Sequence, residues 1–367
     1  MRIGFFTDTF LPQKNGVVTS LLSFGAELEK RGHEVHVFCP KTNVRHMEGM
    51  EVHSYPAVSF RRYPEFKIAV PQGRDRAPKL DLVHTHSPFT MGFFGWRVAK
   101  FQKIPRVSTF HTLLSEYYQY VSRVGKPVLK LVSWRFCRAF YKRHKKLITP
   151  SAALKRLLRE HGIKKPIEVI PTGIDIKALH PIDKKTARRK LGLEDERIFL
   201  CLGRVSYEKN LDLVIRAMTE VDGKLLLVGR GPATGKLKKL VDKKHLRKRV
   251  SFKGFVPEKL KPLYCSAADA LVIASKSETQ GLVVAEAMAC GTPVIGANAL
   301  AIPEVVRNGE NGYLFKPENI GSLSALMQKF EPSEGMRKNA RKTAESYSIE
   351  KCTTKLEEFY NGLQVIY

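Results

Sequence analysis

The chain has 367 residues, of which 43% are hydrophobic and 27% charged, as is typical of a soluble globular protein. This length exceeds what one compact core holds, so we expect two domains, and no run approaches the roughly 18–20 apolar residues of a bilayer-spanning helix. Lysine and arginine outnumber aspartate and glutamate by 63 to 35, and the net charge of +28 favours anionic partners.

The N-terminal segment and the cysteines predict the cellular compartment. "MRIGFFTDTF" lacks the apolar core and cleavage site of a secretory signal, so we expect a cytoplasmic protein. With neither a C-x-x-C pair nor a His/Cys cluster, the cysteines are expected to be reduced and structural and to form no zinc site. They are scattered singly along the chain, at Cys39, Cys137, Cys201, Cys265, Cys290 and Cys352.

Short apolar runs alternate with helical segments in both halves of the chain. In the first half the runs are "MRIGFFTDTF", "EVHVFCP", "DLVHTHSP", "RVSTFHT" and "KKLITPS". The segment "IEVIPTGIDIKALHP" interrupts this rhythm, which restarts with "RIFLCLGRVSYEKN", "KLLLVGRGPA", "RVSFKGFVP", "ALVIAS", "TPVIGAN" and "GYLFKP". Such alternation predicts βαβ units and a parallel sheet in each half.

These patterns predict an α/β fold with two Rossmann-like domains that face a cleft. We place the first domain at residues 1–168, the second at 169–345, and a C-terminal helix that returns to the first domain at 346–367. Ligands of open α/β sheets bind beyond the carboxyl ends of the strands, where polar motifs of both halves lie. One active site shared by the two domains is therefore expected.

Two basic or glycine-containing loops are candidate phosphate sites. In "NGVVTS", Gly16 lies at a helix N-terminus, whose backbone N–H groups and dipole can hold a phosphate. The alternative is that Asn15 caps the helix and Gly16 is only a turn residue. In "GRVSYEKN", Arg204 and Lys209 follow an apolar strand and can bind a diphosphate, unless the loop is merely solvated. The glycine-rich "GRGP" at 229–232 fits a plain strand-to-helix turn equally well.

His111, in "STFHTLLSEYYQY", comes directly after a predicted strand. At the end of that strand it can contact a reacting group or donate a hydrogen bond to it. A single histidine is more often structural, so both interpretations stay open.

Two glutamates flank an apolar helix in "SKSETQGLVVAEAMACG". Glu278 lies in the loop before the helix and Glu286 about two turns inside it, and between them the N–H groups of Gln280, Gly281 and Leu282 can bind an anion. This arrangement suits a nucleotide-sugar, with one carboxylate for the sugar and the other for the ribose. Alternatively, Glu278 caps the helix and Glu286 faces solvent. The apolar neighbours of Glu286 argue against a solvent-facing position for it.

The ordered set of motifs resembles a known family. The E-x(7)-E pair, preceded by "VIPTGID", "GRVSYEKN" and "VGRGP", resembles the retaining GT-B glycosyltransferases of family 4 over nearly the whole chain. The resemblance implies that Gly16 approaches the donor diphosphate and that Arg204 and Lys209 neutralise the leaving phosphates. It implies that Glu278 holds the transferred sugar and Glu286 the ribose.

Further roles follow from the same resemblance. Backbone near Val256, in "FKGFVP", is expected to contact the nucleobase, and His111 to lie at the reacting centre. The sequence departs from the family in having Asn15-Gly16 where many members carry two glycines. No Asp-x-Asp is present, so we expect neither metal nor cofactor, with the nucleotide-sugar as co-substrate and the leaving phosphate accepting the acceptor's proton.

The basic residues are concentrated in one segment of the first half. Residues 123–146 contain nine lysines and arginines, no acidic residue, and interleaved aromatic side chains, which is typical of a helix on an anionic membrane but also fits a helix with a buried face. A second basic and aromatic stretch is "SFRRYPEFKIAVP" at 59–71. We expect the acceptor or membrane to contact Tyr117, Tyr118, Lys130, Trp134, Arg135, Arg138 and Lys142.

Several motifs look most like the branch that glycosylates membrane lipids, which includes diacylglycerol glucosyltransferases and phosphatidylinositol mannosyltransferases. This resemblance implies a peripheral enzyme of the cytoplasmic membrane face that moves a hexose, with UDP-glucose as the expected donor, to a lipid hydroxyl. The alternative is a soluble glycosyltransferase that uses a UDP- or GDP-sugar and a sugar or sugar-phosphate acceptor. The sequence contains no nucleic-acid-binding motif, so a nucleic-acid partner is not expected. The first strand is not followed by G-x-G-x-x-G, so a nicotinamide cofactor is not expected either.

Overall fold

The computed structural model of the chain describes residues 1–13, 15–60, 63–71, 73, 77–111, 113 and 126–364. The chain forms two compact units, Met1–Gly173 together with Ile349–Tyr367, and Ile174–Ser348. Each unit is an α/β structure built on a sheet of mainly parallel strands. The prediction of two Rossmann-like domains is confirmed.

The first unit alternates strands and helices along the chain. Its described elements are β1 (Arg2–Phe6), α1 (Gly16–Lys30), β2 (Glu34–Pro40), β3 (His46–Met47), β4 (Met50–Tyr55), β5 (Ala57–Phe60), β6 (Tyr63–Ala69), β7 (Leu82–Thr85), α2 (Thr90–Gln102), β8 (Arg106–Thr109), α3 (Lys126–Tyr141), β9 (Lys146–Thr149), α4 (Ala152–Glu160) and β10 (Ile167–Val169).

The described strands of the first unit form an eight-stranded sheet in the order β10-β9-β8-β7-β1-β2-β4-β3, with β5 and β6 as a separate antiparallel hairpin. Within the large sheet the pairings are parallel except that of β3 with β4. The strand order reverses between β1 and β7. Open α/β sheets bind ligands at this kind of switch point, beyond the carboxyl ends of the strands.

The second unit repeats the alternation with shorter helices. Its elements are α5 (Lys184–Leu191), β11 (Ile198–Leu202), α6 (Leu211–Ala217), β12 (Lys224–Val228), α7 (Thr234–Lys243), β13 (Val250–Gly254), α8 (Lys261–Ala267), β14 (Ala270–Ile273), α9 (Leu282–Ala289), β15 (Val294–Ala297), α10 (Ile302–Val305), β16 (Gly312–Phe315), α11 (Ile320–Lys329) and α12 (Glu334–Ala344).

The sheet of the second unit is parallel throughout, in the order β13-β12-β11-β14-β15-β16. Its strands are near-continuous apolar runs because helices cover both faces of a parallel sheet. In β11, for example, Ile198, Phe199 and Leu200 are completely buried. The strand order reverses between β11 and β14, so the switch point of this sheet lies at the carboxyl ends of those two strands.

The last helix of the chain, α13 (Ile349–Gln364), packs in the first unit. Arg31, at the end of α1, pairs with Glu357 of α13, and His33 Nε2 lies 2.9 Å from a Glu357 carboxylate oxygen. Tyr360 is buried, with its hydroxyl 2.5 Å from Nδ1 of His84 on β7. The C-terminal helix therefore completes the core of the first unit.

Strand β10 was not expected from the sequence. It lies in the segment "IEVIPTGIDIKALHP", which the apolar rhythm marked as an interruption, yet Ile167–Val169 pairs with β9 at the edge of the first sheet. A strand of three residues that ends just before Pro171 is too short to produce a recognisable pattern.

Candidate active site

The switch point of the second unit brings a lysine and a glutamate together. Lys209 lies in the loop after β11 and Glu278 in the loop after β14, and Nζ of Lys209 is 2.6 Å from Oε1 of Glu278. Arg204 lines the same cavity as these two residues, along with Ala274 and Val283. Three residues predicted to bind the donor thus share one site.

Backbone and side-chain hydrogen bonds hold the two loops in place. Asn210 follows Lys209 in a left-handed conformation, and its Nδ2 donates to the carbonyl of Ala274 at the end of β14. The carbonyl of Glu278 accepts a hydrogen bond from the N–H of Ala301 at 3.3 Å. The ion pair therefore joins loops that are already anchored.

The ion pair lies in a partly exposed site. The side chain of Lys209 is 30% exposed and that of Glu278 only 11%, so an anion can reach the ammonium group more easily than the carboxylate. An anionic ligand in this cavity would compete with Glu278 for Lys209. The carboxylate would then be available to accept hydrogen bonds from hydroxyl groups.

The glycine-rich turn after β12 packs tightly against the loop that carries Arg204. A Cβ atom at Gly229 would lie 1.7 Å from the carbonyl oxygen of Gly203, and one at Gly231 would lie 2.2 Å from that of Val205. The N–H of Val205 donates to the carbonyl of Arg230 across the same contact. Close backbone approach explains why "GRGP" needs its glycines.

The first turn of α9 has the form expected of an anion site. Gly281 precedes the helix with φ +78°, and no side chain caps this end, so the alternative in which Glu278 is the cap is wrong. Gln280 is buried beside it. Among the described residues, no hydrogen bond uses the backbone N–H of Gly281 or Leu282, and these N–H groups remain available to a ligand.

Glu286 lies inside the second unit, as its apolar neighbours predicted. It is 9% exposed, and its Oε1 is 2.9 Å from Nζ of Lys261, which also pairs with Glu258 at 2.6 Å. Burial raises the pKa of Glu286 above its ordinary value although Lys261 opposes the shift. Burial lowers the pKa of Lys261, but the two carboxylates outweigh it and the net shift is upward.

Val256, the position predicted to contact the nucleobase, follows β13 and packs against the hydrophobic cluster that includes Val284. Sequence reasoning missed Lys261, because nothing in "VPEKLKP" distinguishes the lysine that reaches Glu286 from its neighbours.

The switch point of the first unit is lined by buried polar groups. Asp8, after β1, accepts hydrogen bonds from the hydroxyl of Thr90 and the N–H of Met91 at 2.9 Å each, and so caps α2 from another element. Burial raises the pKa of Asp8, although these hydrogen bonds oppose the shift. Asn15 caps α1 through Oδ1, which accepts from Val17 and Val18; Gly16 is the first residue of that helix.

His111 stands in a group of histidines at the ends of β7 and β8. Its Nε2 is 3.0 Å from Nδ1 of His86, whose ring lies 4.0 Å from that of His84. Burial lowers the pKa of His111 to about 3 and that of His86 well below its ordinary value. Both rings are therefore neutral at physiological pH and can exchange hydrogen bonds but carry no charge.

Helix α3 has an exposed apolar stripe, which we define as Val128, Leu131 and Val132. These side chains are 64%, 55% and 55% exposed. Lys130, Arg135 and Lys142 are also exposed and Arg138 is partly buried, while Tyr117 and Tyr118 lie outside the described residues.

The expectation that Trp134 contacts a membrane is wrong. Trp134 is 6% exposed because its ring stacks on His161 at 3.8 Å and lies parallel to Phe110. Like Cys137 and Phe140, it belongs to the buried face of α3. Across the part of the chain that the structure describes, no helix is both long and apolar enough to cross a membrane.

Known proteins resemble the chain along most of its length. The alpha-monoglucosyldiacylglycerol synthase of Streptococcus pneumoniae is 34% identical over 87% of this chain and 76% of that protein. The alpha-monoglucosyldiacylglycerol synthase of Acholeplasma laidlawii is 30% identical over 99% and 97%. The family model Glycosyltransferase Family 4 matches residues 14–178, and Glycosyl transferases group 1 matches residues 183–347.

The chain belongs to these glycosyltransferases. The family predicted from the ordered motifs is confirmed, and so is the prediction of an enzyme. The two models divide the chain near the boundary between the two structural units.

Solved structures confirm the GT-B fold of this glycosyltransferase. Sucrose-phosphate synthase from Thermosynechococcus elongatus has a TM-score of 0.84 at 23% identity and covers 100% of both chains. Anabaena HepE, solved in complex with UDP-glucose, has a TM-score of 0.80 at 20% identity and covers 99% of this chain and 100% of its own. At such identities the likeness shows the fold alone.

A substitution at Gly229 tests the contact between the two loops of the glycosyltransferase. Gly229→Ala should lower the free energy of unfolding by about 2 kcal/mol, because the backbone has φ +141° and the new Cβ meets a carbonyl oxygen. Gly235→Ala is the control. A Cβ atom added at Gly235, in α7, would have no neighbouring atom within 4 Å, so this substitution should leave stability unchanged or slightly raised. Urea unfolding compares the two, and equal stability would contradict the packing argument.

The ion pair of Glu286 predicts a pH-dependent loss of stability. Lys261→Met should lower the free energy of unfolding by about 3 kcal/mol at pH 7.5, because it leaves a buried carboxylate unpaired. The folded-state pKa of Glu286 is already raised, and losing the lysine raises it further. The variant then retains stability at low pH and loses it as pH rises through that pKa. The difference in free energy of unfolding between the variant and the parent should therefore shrink towards pH 5.

The control for this variant is Lys338→Met, which removes an exposed lysine from its pair with Glu334. Its stability should match that of the parent at both pH values. The double variant Lys261→Met, Glu286→Gln should recover much of the loss at pH 7.5. A deficit that is equal at pH 5 and pH 7.5 would contradict the assignment to Glu286.

Proposed function

We propose that this glycosyltransferase moves glucose from UDP-glucose to the hydroxyl of diacylglycerol or a similar membrane lipid, with retention of the anomeric configuration. The observation that carries the proposal is that two relatives, 34% and 30% identical over most of their own length, are named for synthesis of alpha-monoglucosyldiacylglycerol. Their product name contains glucose, and HepE, which shares this fold, binds UDP-glucose.

The donor diphosphate is proposed to bind at the switch point of the second unit. Arg204 and Lys209 neutralise its phosphates. The backbone N–H groups of Gln280, Gly281 and Leu282, at the start of α9, add hydrogen bonds. The ammonium of Lys209, which is paired at 2.6 Å with Glu278, then turns to the phosphates. Glu278 is released to accept hydrogen bonds from the glucose hydroxyls.

The remaining donor contacts are proposed from the positions around this site. Glu286 accepts hydrogen bonds from the two ribose hydroxyls, and Lys261 keeps it ionised in its buried position. Backbone near Val256 contacts the base. For the first unit, we propose that the N-terminus of α1 at Gly16 binds phosphate and that His111 donates or accepts a hydrogen bond as a neutral imidazole.

The reaction breaks the bond between the anomeric carbon and the phosphate oxygen. The sugar passes through an oxocarbenium-like state, and UDP leaves with the bonding electron pair, its added negative charge stabilised by Arg204 and Lys209. The lipid hydroxyl attacks from the face that UDP leaves, and its proton passes to the leaving phosphate oxygen. These cations take the place of a metal ion, so we propose that transfer is metal-independent.

The exposed stripe of α3 is proposed to rest on the membrane. Three exposed apolar side chains flanked by exposed Lys130, Arg135 and Lys142 form an amphipathic surface that suits an anionic bilayer at the cytoplasmic face. Each cation near such a surface contributes about 1 kcal/mol. Arg138 is only partly buried and is proposed to act at the edge of this surface.

A donor and vesicle matrix tests the proposal. The protein is incubated with UDP-glucose, UDP-galactose or GDP-mannose, each with and without anionic vesicles that contain diacylglycerol, and nucleoside diphosphate release is measured. We expect release only with UDP-glucose and diacylglycerol vesicles, at a rate that EDTA does not lower. Release with soluble sugar or sugar-phosphate acceptors, indifferent to vesicles, would instead support the soluble glycosyltransferase and overturn the lipid acceptor.

A further inference from the structure

Two histidines and a glutamate converge near one edge of the first sheet, away from the switch point. His36 lies on β2, and Glu51 and His53 lie on β4, which pairs with β2 in parallel. His36 is opposite Glu51 in the register, and His53 is opposite Phe38, two residues further along. Because side chains alternate between faces of a sheet, the three side chains project from the same face.

The donor atoms of these side chains are close to one another. Nδ1 of His36 is 3.1 Å from Nε2 of His53 and 3.3 Å from one carboxylate oxygen of Glu51, while Nε2 of His53 is 3.8 Å from the other oxygen. Ligand atoms around a tetrahedral zinc ion, with bonds of about 2.0–2.1 Å, lie roughly 3.4 Å apart. The observed separations bracket that value.

The hydrogen-bonding pattern leaves too few protons for these contacts. The N–H group at Nε2 of His36 donates a hydrogen bond to a carboxylate oxygen of Glu34 at 2.8 Å. In the neutral ring, Nδ1 is then a lone pair that faces both His53 and the carboxylate of Glu51. When His53 carries its proton on Nδ1, a cation held between the three side chains can bind Nδ1 of His36, Nε2 of His53 and a carboxylate oxygen of Glu51. The Glu34 carboxylate then orients His36 as carboxylates behind zinc-bound histidines do.

The two rings are held rigidly in this position. His36 is 2% exposed. The ring of His53 stacks on Phe38 at 4.6 Å with an interplanar angle of 14°, and Phe38 in turn stacks on Phe6 at 4.2 Å. Such packing fixes the ligand orientation before any ion binds, which favours affinity.

We propose that His36, His53 and Glu51 bind one divalent transition-metal ion, best matched by Zn²⁺, with water in the remaining position. Two imidazoles and a carboxylate are a preferred ligand set for this ion. The site ties β4 to β2, so the bound ion stabilises the outer part of the first sheet. The inference does not rest on the proposed function, because none of these residues has a role in donor binding.

The test uses the full-length protein without a histidine tag, freed of metal by chelation. Zn²⁺ is titrated calorimetrically, Co²⁺ is added to record its visible spectrum, and Tm is measured with and without Zn²⁺. The variants are His53→Gln and Glu51→Gln. Both substitutions roughly preserve side-chain size, and both native side chains are at least partly exposed. His180→Gln, an exposed histidine of the second unit, is the control.

We expect one Zn²⁺ per chain, a Tm that rises with Zn²⁺, and the intense visible bands of tetrahedral Co²⁺. Both site variants should bind at least tenfold more weakly and lose the Tm increase, while His180→Gln behaves like the parent. Absence of stoichiometric binding, or equal binding by parent and site variants, would overturn the proposal. A Tm for each apo variant close to that of the apo parent shows that the fold is retained.

Discussion

Lys209→Met is expected to lower kcat/KM for the nucleotide-sugar by about 100- to 1,000-fold, the usual loss when one group that stabilises developing charge is removed. The leaving diphosphate gains negative charge in the transition state, and Lys209 is a cation in the cavity beside Arg204. Glu278→Gln is expected to give a loss of similar size, because a neutral amide binds sugar hydroxyls differently and no longer pairs with Lys209. Initial rates of diphosphate release against donor concentration measure both.

The matched controls lie in the same region of the second unit. Lys276 precedes Glu278 by two residues and pairs with Glu318 at 2.6 Å, and both side chains are exposed. Lys276→Met and Glu318→Gln therefore remove the same charges from a similar pair and should leave kcat/KM within about twofold. If the control variants lose as much activity as Lys209→Met, the site has been placed wrongly.

Replacing the exposed stripe of α3 with serine at Val128, Leu131 and Val132 is expected to lower binding to anionic vesicles by roughly 100-fold. Slightly more than half of each side chain is exposed and can be buried by the membrane, which is worth about 1 kcal/mol per residue. The combined loss of about 3 kcal/mol corresponds to slightly more than two decades in the binding constant. Because the side chains point away from the core, Tm should hardly change. Vesicle co-sedimentation at low and high salt measures binding.

An exposed phenylalanine elsewhere provides the control for this effect. Phe101 is 53% exposed at the end of α2, and Phe101→Ser removes apolar surface outside the stripe. It should bind vesicles as the parent does. Loss of lipid-dependent transfer in the stripe variant, with transfer to detergent-dispersed acceptor retained, would locate the defect in membrane contact. Unchanged vesicle binding in the stripe variant would contradict the membrane role of α3.

Much of the fold could be predicted from the sequence because buried parallel strands are short apolar runs between helical segments. Strands β11, β12 and β14 were predicted from such runs, and their order places the loops with Lys209 and Glu278 beside each other. A motif at a strand end is thus informative when the sheet is parallel, since all carboxyl ends lie at one edge. Strand β10, with three residues, offered no such pattern.

Side-chain partners and helix faces were harder to predict. Trp134 has the aromatic character of a membrane contact, but it is buried and its ring stacks on His161. Lys261 and Glu286 lie on different helices, and His36 lies on a different strand from Glu51 and His53, so sequence spacing does not show that these residues meet. Such clusters depend on strand register and helix packing, which a single sequence does not specify.

The proposed transfer of glucose to diacylglycerol is tested by determining the structure of the lipid product. UDP-glucose labelled with ¹³C in the sugar is incubated with the protein and with vesicles of diacylglycerol and anionic phospholipid, and the extracted lipid is examined by NMR. We expect labelled glucose joined to the glycerol hydroxyl by an α linkage, the configuration of the donor, and no product with Lys209→Met. A β linkage would contradict retention, and label only in water-soluble products would contradict the lipid acceptor.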